Sequence, residues 1–264
     1  MKKLLSTMTI FSLAIGLSVA PALAEQMAPQ KFNAHLVRGS KVIGADVFNT
    51  AGKDIGKVND IVFDENTGGT MHAVIEAGGF IGIGDKLTPV SWQSMQVKEN
   101  AKDTDAFKLV TTLDKAKLTQ GMSFERNMFT ATDKSWMKQI PGTNGKKLVR
   151  ASDVDDAKVF DKDGNHIGEI HEVIFDTKTG KIAYAAVSFE DEFLHKGEQM
   201  TMVPWTMIRQ SAATTPGFVL KADKTKLEGA TFFAPNAWPN MNDFAWNKRV
   251  YDYYTVTPYF WTGV

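Results

Sequence analysis

An internal repeat constrains the fold of this chain more than any other feature of its sequence. The segment VFNTAGKDIGKVNDIVFD, residues 47–64, returns as VFDKDGNHIGEIHEVIFD, residues 159–176, at a constant offset of 112. Seven of the 18 aligned positions are identical, and several of the differences exchange one aliphatic residue for another. A repeat of this length indicates one folding unit that is used twice.

Each copy opens with the pattern of a β-hairpin. Polar residues around Gly52 or Gly164 separate a hydrophobic pair from an aliphatic run. Glycine suits such a turn because it reaches positive φ without steric cost. The hydrophobic alternation of the second strand slips near residues 59–60, and it slips again near residues 171–172. These slips predict a β-bulge in each copy, which would curve the strand as a small barrel requires.

The rest of each copy adds further short strands. A turn signal, a strand, a variable loop and a V-x-W segment follow in order, and the last of these ends in Trp92 or Trp205. Short strands at regular spacing, broken by Gly and Asp, favour a barrel over a sandwich. A short helix capped by Asp114 or Asp223 ends each copy. Because both copies retain the tryptophan, we expect it to belong to the core rather than to a cofactor platform.

At these residues the chain resembles the PRC-barrel family, which is named for the H subunit of the photosynthetic reaction centre. The matching pattern is a turn of D-x-x-G type, then I-G-x-[VI], then V-[hydrophobic]-F-D-x-x-T-G. The glycine-rich segment at residues 78–86 and the V-x-W segments look like those of extracytoplasmic bacterial members. The resemblance implies a mainly β chain with two small PRC-type β-barrels in tandem, each with a short trailing helical segment. It also implies a binding and assembly role, because family members serve in reaction centres, ribosome maturation factors and periplasmic proteins.

The first 24 residues have the pattern of a secretory signal peptide. Lys2 and Lys3 form a basic region, residues 4–20 are apolar, and Ala22-Leu23-Ala24 forms an A-x-A cleavage site. The alternative is a single N-terminal membrane anchor, which the interrupting Ser and Thr residues and the cleavage site disfavour. We expect cleavage after Ala24, a periplasmic mature protein and no stable membrane insertion. The other predicted segments are a lead-in at 25–40, the first barrel at 41–120, a helical appendage and linker at 121–145, the second barrel at 146–228 and an aromatic C-terminal appendage at 229–264.

Charge and cysteine content exclude several classes of function. The chain has 30 Lys and Arg against 30 Asp and Glu, and loss of the signal peptide leaves 28 against 30, a formal net charge of −2. This balance argues against nucleic-acid binding, which usually requires a basic surplus. The absence of cysteine means that no disulfide supports the fold. We therefore expect each barrel to be held by its own hydrophobic core.

Two aromatic or apolar segments are candidate contacts for a protein partner. Phe80 and Ile81 lie at the tip of the glycine-rich loop at residues 78–84, where a flexible connection without binding function is the simpler interpretation. The C-terminal appendage is rich in Tyr and Trp, which suit half-buried contacts. A helix at residues 245–254 would pack one face on the second barrel. The residues beyond it are harder to bury and are the best candidates for an external contact: Tyr259, Phe260 and Trp261.

The hairpin turn at residues 161–165 superficially resembles a calcium-binding loop. Asp161 and Asp163 could supply ligands, and Glu172 falls at the twelfth position. His166, however, stands at the sixth position, where such a loop needs glycine, and the flanking segments are strands rather than helices. Asp and Gly are ordinary turn residues. We therefore expect no metal site and no cofactor, with these two aspartates as the only weak metal candidates.

The sequence contains no recognisable catalytic constellation. G-x-S-x-G, H-E-x-x-H and Rossmann motifs are all absent. The leading hypothesis is a non-enzymatic periplasmic protein that acts through contacts with another protein of the cell envelope. The acidic run at residues 190–192 is either solvated or a recognition site for a basic partner. The alternatives are a small-ligand or metal-ion sensor of the cell envelope and an accessory protein like the reaction-centre H subunit.

Overall fold

The structure, a computed structural model, describes residues 31–77, 86–100, 103–211 and 217–262. The predicted signal peptide and the loop residues Phe80 and Ile81 lie outside these ranges. The strands are β1 (Lys31–Phe32), β2 (Leu36–Arg38), β3 (Asp46–Asn49), β4 (Asp54–Asp64), β5 (Thr70–Glu76), β6 (Lys86–Ser91), β7 (Met95–Asn100), β8 (Asp103–Thr111), β9 (Phe124–Glu125), β10 (Leu148–Arg150), β11 (Ala157–Phe160), β12 (His166–Asp176), β13 (Lys181–Phe189), β14 (Met200–Pro204), β15 (Ile208–Gln210), β16 (Phe218–Leu220), β17 (Phe232–Phe233) and β18 (Trp261–Thr262). The α-helices are α1 (Gly39–Val42), α2 (Lys115–Gln120), α3 (Asp191–Leu194), α4 (Lys224–Glu228) and α5 (Phe244–Tyr254).

The two copies of the repeat build two eight-stranded sheets of the same topology. The first sheet runs β7-β8-β3-β4-β5-β6-β9, and its eighth strand, β10, pairs with β4. The second sheet runs β15-β16-β11-β12-β13-β14-β17, and its eighth strand, β2, pairs with β12. We refer to residues 46–111 as the first unit and to residues 157–220 as the second unit. The mainly β class and the duplicated unit are confirmed. Among the described strands neither path returns to its first member, so the predicted closure into a barrel is not seen as a ring of hydrogen bonds.

Both predicted bulges are present. The register of β4 against β5 shifts between Val58 and Asp60, and the register of β12 against β13 shifts between Ile170 and Glu172. Each shift leaves one residue unpaired, which breaks the strict alternation of side chains along the strand. As a result, hydrophobic residues on both sides of each bulge point into the core.

The strand that precedes each unit completes the sheet of the other unit. β2, before the first unit, pairs antiparallel with β12 of the second, and β10, before the second unit, pairs antiparallel with β4 of the first. The two halves are therefore joined by a reciprocal exchange of strands. This corrects the expectation that residues 25–40 are only a polar lead-in, because Leu36 and Val37 are buried strand residues. The repeat itself carried the signal, since LVR at 36–38 returns as LVR at 148–150.

The tryptophan that both copies contain packs, in each copy, against the opposite unit. The ring of Trp92 meets Phe175 edge to face with 4.7 Å between centroids, and Trp205 meets Phe63 in the same way at 5.3 Å. The indole N–H of Trp205 also donates to the backbone carbonyl of Glu65 at 2.9 Å. One continuous hydrophobic cluster contains all four rings. The tryptophans are core residues as predicted, but the prediction that each unit has its own separate core is wrong.

The appendages cover the outer face of each sheet. In the first half, residues 121–145 fold as β9 and two short 3-10 helices rather than an α-helix, and they place Trp136 in a cluster on Val62 and Val74. In the second half, α5 confirms the predicted helix, and it packs on Tyr184 and Met202 of the second sheet. Both faces of each sheet are thereby buried.

A comparison of two turn glycines tests the tryptophan packing. Gly164 and Gly180 both have positive φ, +86° and +71°, but a Cβ at Gly164 meets no atom within 4 Å, whereas a Cβ at Gly180 would overlap the Trp92 ring. We expect Gly164→Ala to cost about 1 kcal/mol from backbone strain alone. Gly180→Ala should cost a further ~1–3 kcal/mol from overpacking. Urea unfolding of both variants measures the difference, and equal losses would contradict the packing.

Candidate functional site

The C-terminal aromatic segment is built into the fold. Phe260 is 2% exposed and contacts Phe32 and Tyr251 edge to face, with centroids 5.3 Å and 5.2 Å away. The expectation that Phe260 is an exposed contact residue is therefore wrong. It is buried because the chain beyond Pro258 turns back onto the second sheet, so that β18 pairs with β1.

The other two residues of this segment also have partners within the chain. The hydroxyl of Tyr259 donates to Asp176 at 3.4 Å, and the ammonium of Lys181 lies 4.8 Å from the centre of its ring. Burial, together with the negative charge of Asp176, raises the pKa of Tyr259. Trp261 is paired through its backbone with Phe32. A partner contact by Tyr259 or Trp261 stays a prediction.

The carboxylate of Asp161 is committed to its own turn, and that of Asp163 is engaged by a neighbouring lysine. Asp161 accepts from the backbone N–H of Asp163 at 2.8 Å and of Asn165 at 2.9 Å, and Asp163 is paired with Lys162 at 2.9 Å. Burial would raise the pKa of Asp161, but these hydrogen bonds outweigh it and lower the pKa. In the described part of the chain no group of three His, Cys, Asp or Glu residues is placed to hold a metal ion. The two aspartates act as turn residues.

An acidic groove of about 610 Å³ lies at one end of the second sheet. It forms where β12 and β13 reach α3, and where the chain before α5 passes over them. The apolar side chains that line it include Phe189, Met200 and Trp238. Five carboxylates share the groove: Glu169, Glu172, Glu190, Asp191 and Glu198.

The positive charge in the acidic groove is small. Arg38 contributes the one guanidinium among the described lining residues, and this group lies over the ring of Trp238 at 5.3 Å from its centre. The whole chain has equal numbers of acidic and basic residues, so the excess of carboxylates here is local. A concave surface that is lined by one sign of charge concentrates its field and attracts the opposite charge.

One histidine, His171, lines the acidic groove, and a second, His166, contacts one of its carboxylates. The ring of His171 is hydrogen-bonded to the hydroxyl of Ser188 at 2.7 Å, and its other nitrogen is 3.7 Å from Asp156. His166 lies 3.4 Å from Glu190. Each imidazole therefore has a carboxylate beside it.

Glu172 fastens the exchanged strand as well as lining the acidic groove. Its carboxylate accepts from the hydroxyl of Ser40 at 2.5 Å and from the Ser40 N–H at 3.2 Å, at the start of α1 directly after β2. Asp60 does the same in the other half, where it accepts from the hydroxyl and the N–H of Ser152. Burial raises the pKa of both carboxyl groups by more than the serine hydrogen bonds lower it.

Two residues of the second sheet at the edge of the acidic groove have different counterparts in the first unit. Lys57 occupies the position of Glu169 in the first unit, and its ammonium is paired with Asp46. Asn59 similarly occupies the position of His171. The repeated scaffold is thus the same in both halves, while the charge at this end of the sheet differs.

Only part of the acidic groove could be predicted from the sequence. The prediction singled out the acidic run at residues 190–192, but it missed Glu169, Glu198 and Trp238 as members of the same site. These residues are widely separated along the chain and come together only through sheet pairing and the return of the C-terminal appendage. The substitution of Lys57 by Glu169 between the copies was the one available signal.

Comparison with known proteins identifies the repeated unit. The sequence profile of the PRC-barrel domain matches twice, at residues 35–112 and 146–226, which together are more than half of the chain. Each match begins just before an exchanged strand, β2 or β10. No curated protein matches the chain at a significant level. Of the described helices, none combines the length and apolar character needed to cross a membrane.

The pH dependence of stability tests the buried carboxylates. A carboxyl group whose pKa is raised in the folded state stabilises the fold fully below its unfolded pKa of about 4, and this contribution is lost as pH rises through the folded pKa. The stability of the natural chain relative to the double variant Asp60→Asn/Glu172→Gln should therefore be higher at pH 4 than at pH 7. Urea unfolding at both pH values measures this difference.

The control is Asp161→Asn, because the folded pKa of Asp161 is lowered. The contribution of Asp161 to stability is present above its unfolded pKa and is lost as pH falls. The stability of the natural chain relative to Asp161→Asn should therefore be higher at pH 7 than at pH 4. If both comparisons changed with pH in the same direction, the pKa shifts assigned to these carboxyl groups would be contradicted.

Proposed function

Because this chain belongs to the PRC-barrel family and carries two copies of that domain, we propose that it is a non-enzymatic interaction module of the cell envelope. In this role the acidic groove binds a basic, extended segment of a partner protein. The duplicated scaffold supplies rigidity, and the residues that differ between its copies supply recognition. The signal-peptide pattern at residues 1–24 supports a periplasmic location, where the partner would also reside.

The local excess of carboxylates carries this proposal. Five carboxylates face one guanidinium among the described residues that line the acidic groove. Such a surface steers basic partners by long-range attraction and discriminates against acidic ones. A basic surface of a folded protein would reach only the rim, whereas an extended segment can enter the concave site.

The apolar part of the acidic groove suits the same ligand. Lys and Arg have long aliphatic stems, which pack on apolar surface while the charged end reaches a carboxylate. Phe189, Met200 and Trp238 provide that surface. Trp238 already accepts one guanidinium on its ring, that of Arg38, so its environment is compatible with a stacked cation.

A peptide titration tests the proposed function. The probe is a fluorescein-labelled octapeptide with four Arg or Lys residues, and its matched control carries Glu at those four positions. We expect saturable binding of the basic peptide only, with affinity that falls as salt rises from 50 to 300 mM because the exposed charges are screened. Fluorescence anisotropy measures both.

A triple variant locates the binding. The variant is Glu169→Gln/Glu190→Gln/Glu198→Gln, which leaves Glu172 in place. It should weaken binding of the basic peptide about tenfold or more, because each exposed ion pair contributes about 0.5–1 kcal/mol. The control variant Asp46→Asn/Asp54→Asn/Glu125→Gln removes the same charge from the first half and should bind normally. Equal affinity of the two triple variants would refute the site.

A further inference from the structure

A second cavity of about 300 Å³ lies between α5 and the second sheet, at a different place from the acidic groove. β14 provides one wall, α5 provides another, and the chain around β17 closes the side. Its apolar lining includes Trp246 and Val250 of α5 and Met202 of β14. We call it the α5 pocket.

The α5 pocket has a charge opposite to that of the acidic groove. Arg249 is the one charged residue among the described residues that line it, and no carboxylate lines it. Arg249 is exposed as well as lining the α5 pocket, so its guanidinium is accessible to a ligand from solvent. A guanidinium keeps its charge at all accessible pH values and binds carboxylates in a bidentate manner.

The hydroxyl groups around the α5 pocket have partners within the chain. Tyr254 lines the α5 pocket and is 5% exposed, and its hydroxyl lies beside that of Thr201, which lines the same pocket. Nearby hydroxyls are engaged, since Thr201 donates to the carbonyl of Thr231 and Tyr253 donates to the carbonyl of Lys226. Burial also raises the pKa of Tyr254, so the hydroxyl remains a donor.

We propose that the α5 pocket binds a small amphipathic carboxylate, with its apolar chain beside Trp246 and Val250 and its carboxylate at Arg249. Pockets for small molecules are about 300–1,000 Å³, so a cavity at the lower end of this range takes a chain on the order of ten carbons or fewer. The proposal concerns a second binding site and does not depend on the acidic groove.

The corresponding tryptophan of the first half is more deeply buried. Trp136 in the segment DKSW, residues 133–136, corresponds to Trp246 in the segment DFAW, residues 243–246. Trp136 is fully buried against Phe129, with ring centroids 4.9 Å apart. Trp246 is only half-buried. The tryptophan of the second half therefore keeps a face toward the α5 pocket, which it lines.

Calorimetric titration of the full chain with decanoate tests the proposal. We expect one saturable site for decanoate and at least tenfold weaker binding of decylamine, which has the same chain length and the opposite charge. Arg249→Gln should weaken decanoate binding about tenfold, and Arg249→Lys should restore part of it. The matched control Lys221→Gln removes an exposed charge elsewhere and should leave binding unchanged.

A variant that fills the pocket separates binding inside it from binding at the surface. Val250→Trp should abolish decanoate binding, and its thermal unfolding shows whether the fold persists. Arg249 is exposed, so the Gln and Lys variants keep the proposal testable even if Val250→Trp does not fold. Equal binding of decanoate and decylamine, or decanoate affinity that Arg249→Gln leaves unchanged, would overturn the proposal.

Discussion

The reciprocal exchange of strands β2 and β10 is the constraint on which the rest of the structure depends. Each strand is three residues long and would contribute little by itself, but each adds its hydrogen bonds to the sheet of the opposite unit. Trp92 and Trp205 then pack on phenylalanines of the opposite unit, so the apolar surface of the two halves is buried in one continuous cluster. With no disulfide in the chain, this shared burial holds the halves together.

The same exchange assembles the acidic groove. Arg38 and Ser40 belong to the chain before the first unit, yet they contact Trp238 and Glu172 of the second half. A bulge carboxylate that would otherwise be exposed is held by the incoming serine, and burial raises its pKa. The fold and the shape of the groove are thus coupled: a change that loosens β2 would also move one edge of the groove.

Much of the fold followed from the sequence, because its signals are local. The hairpin glycines, the slip in alternation at the bulges and the helix caps at Asp114 and Asp223 each depend on a few neighbouring residues. The exchange did not follow, since a three-residue strand such as LVR does not specify which sheet it joins. The burial of Phe260 and the grouping of Glu169 with Glu198 were also missed, because both depend on contacts between residues far apart in the chain.

Hydrogen exchange in urea, read separately for β4 and β12 by mass spectrometry, tests the shared core most directly. Strands in one cooperative unit open with the same free energy, whereas independent domains open separately. The reciprocal exchange predicts that β4 and β12 lose protection at the same urea concentration, in one transition. Two transitions, with one sheet still protected after the other has exchanged, would contradict it.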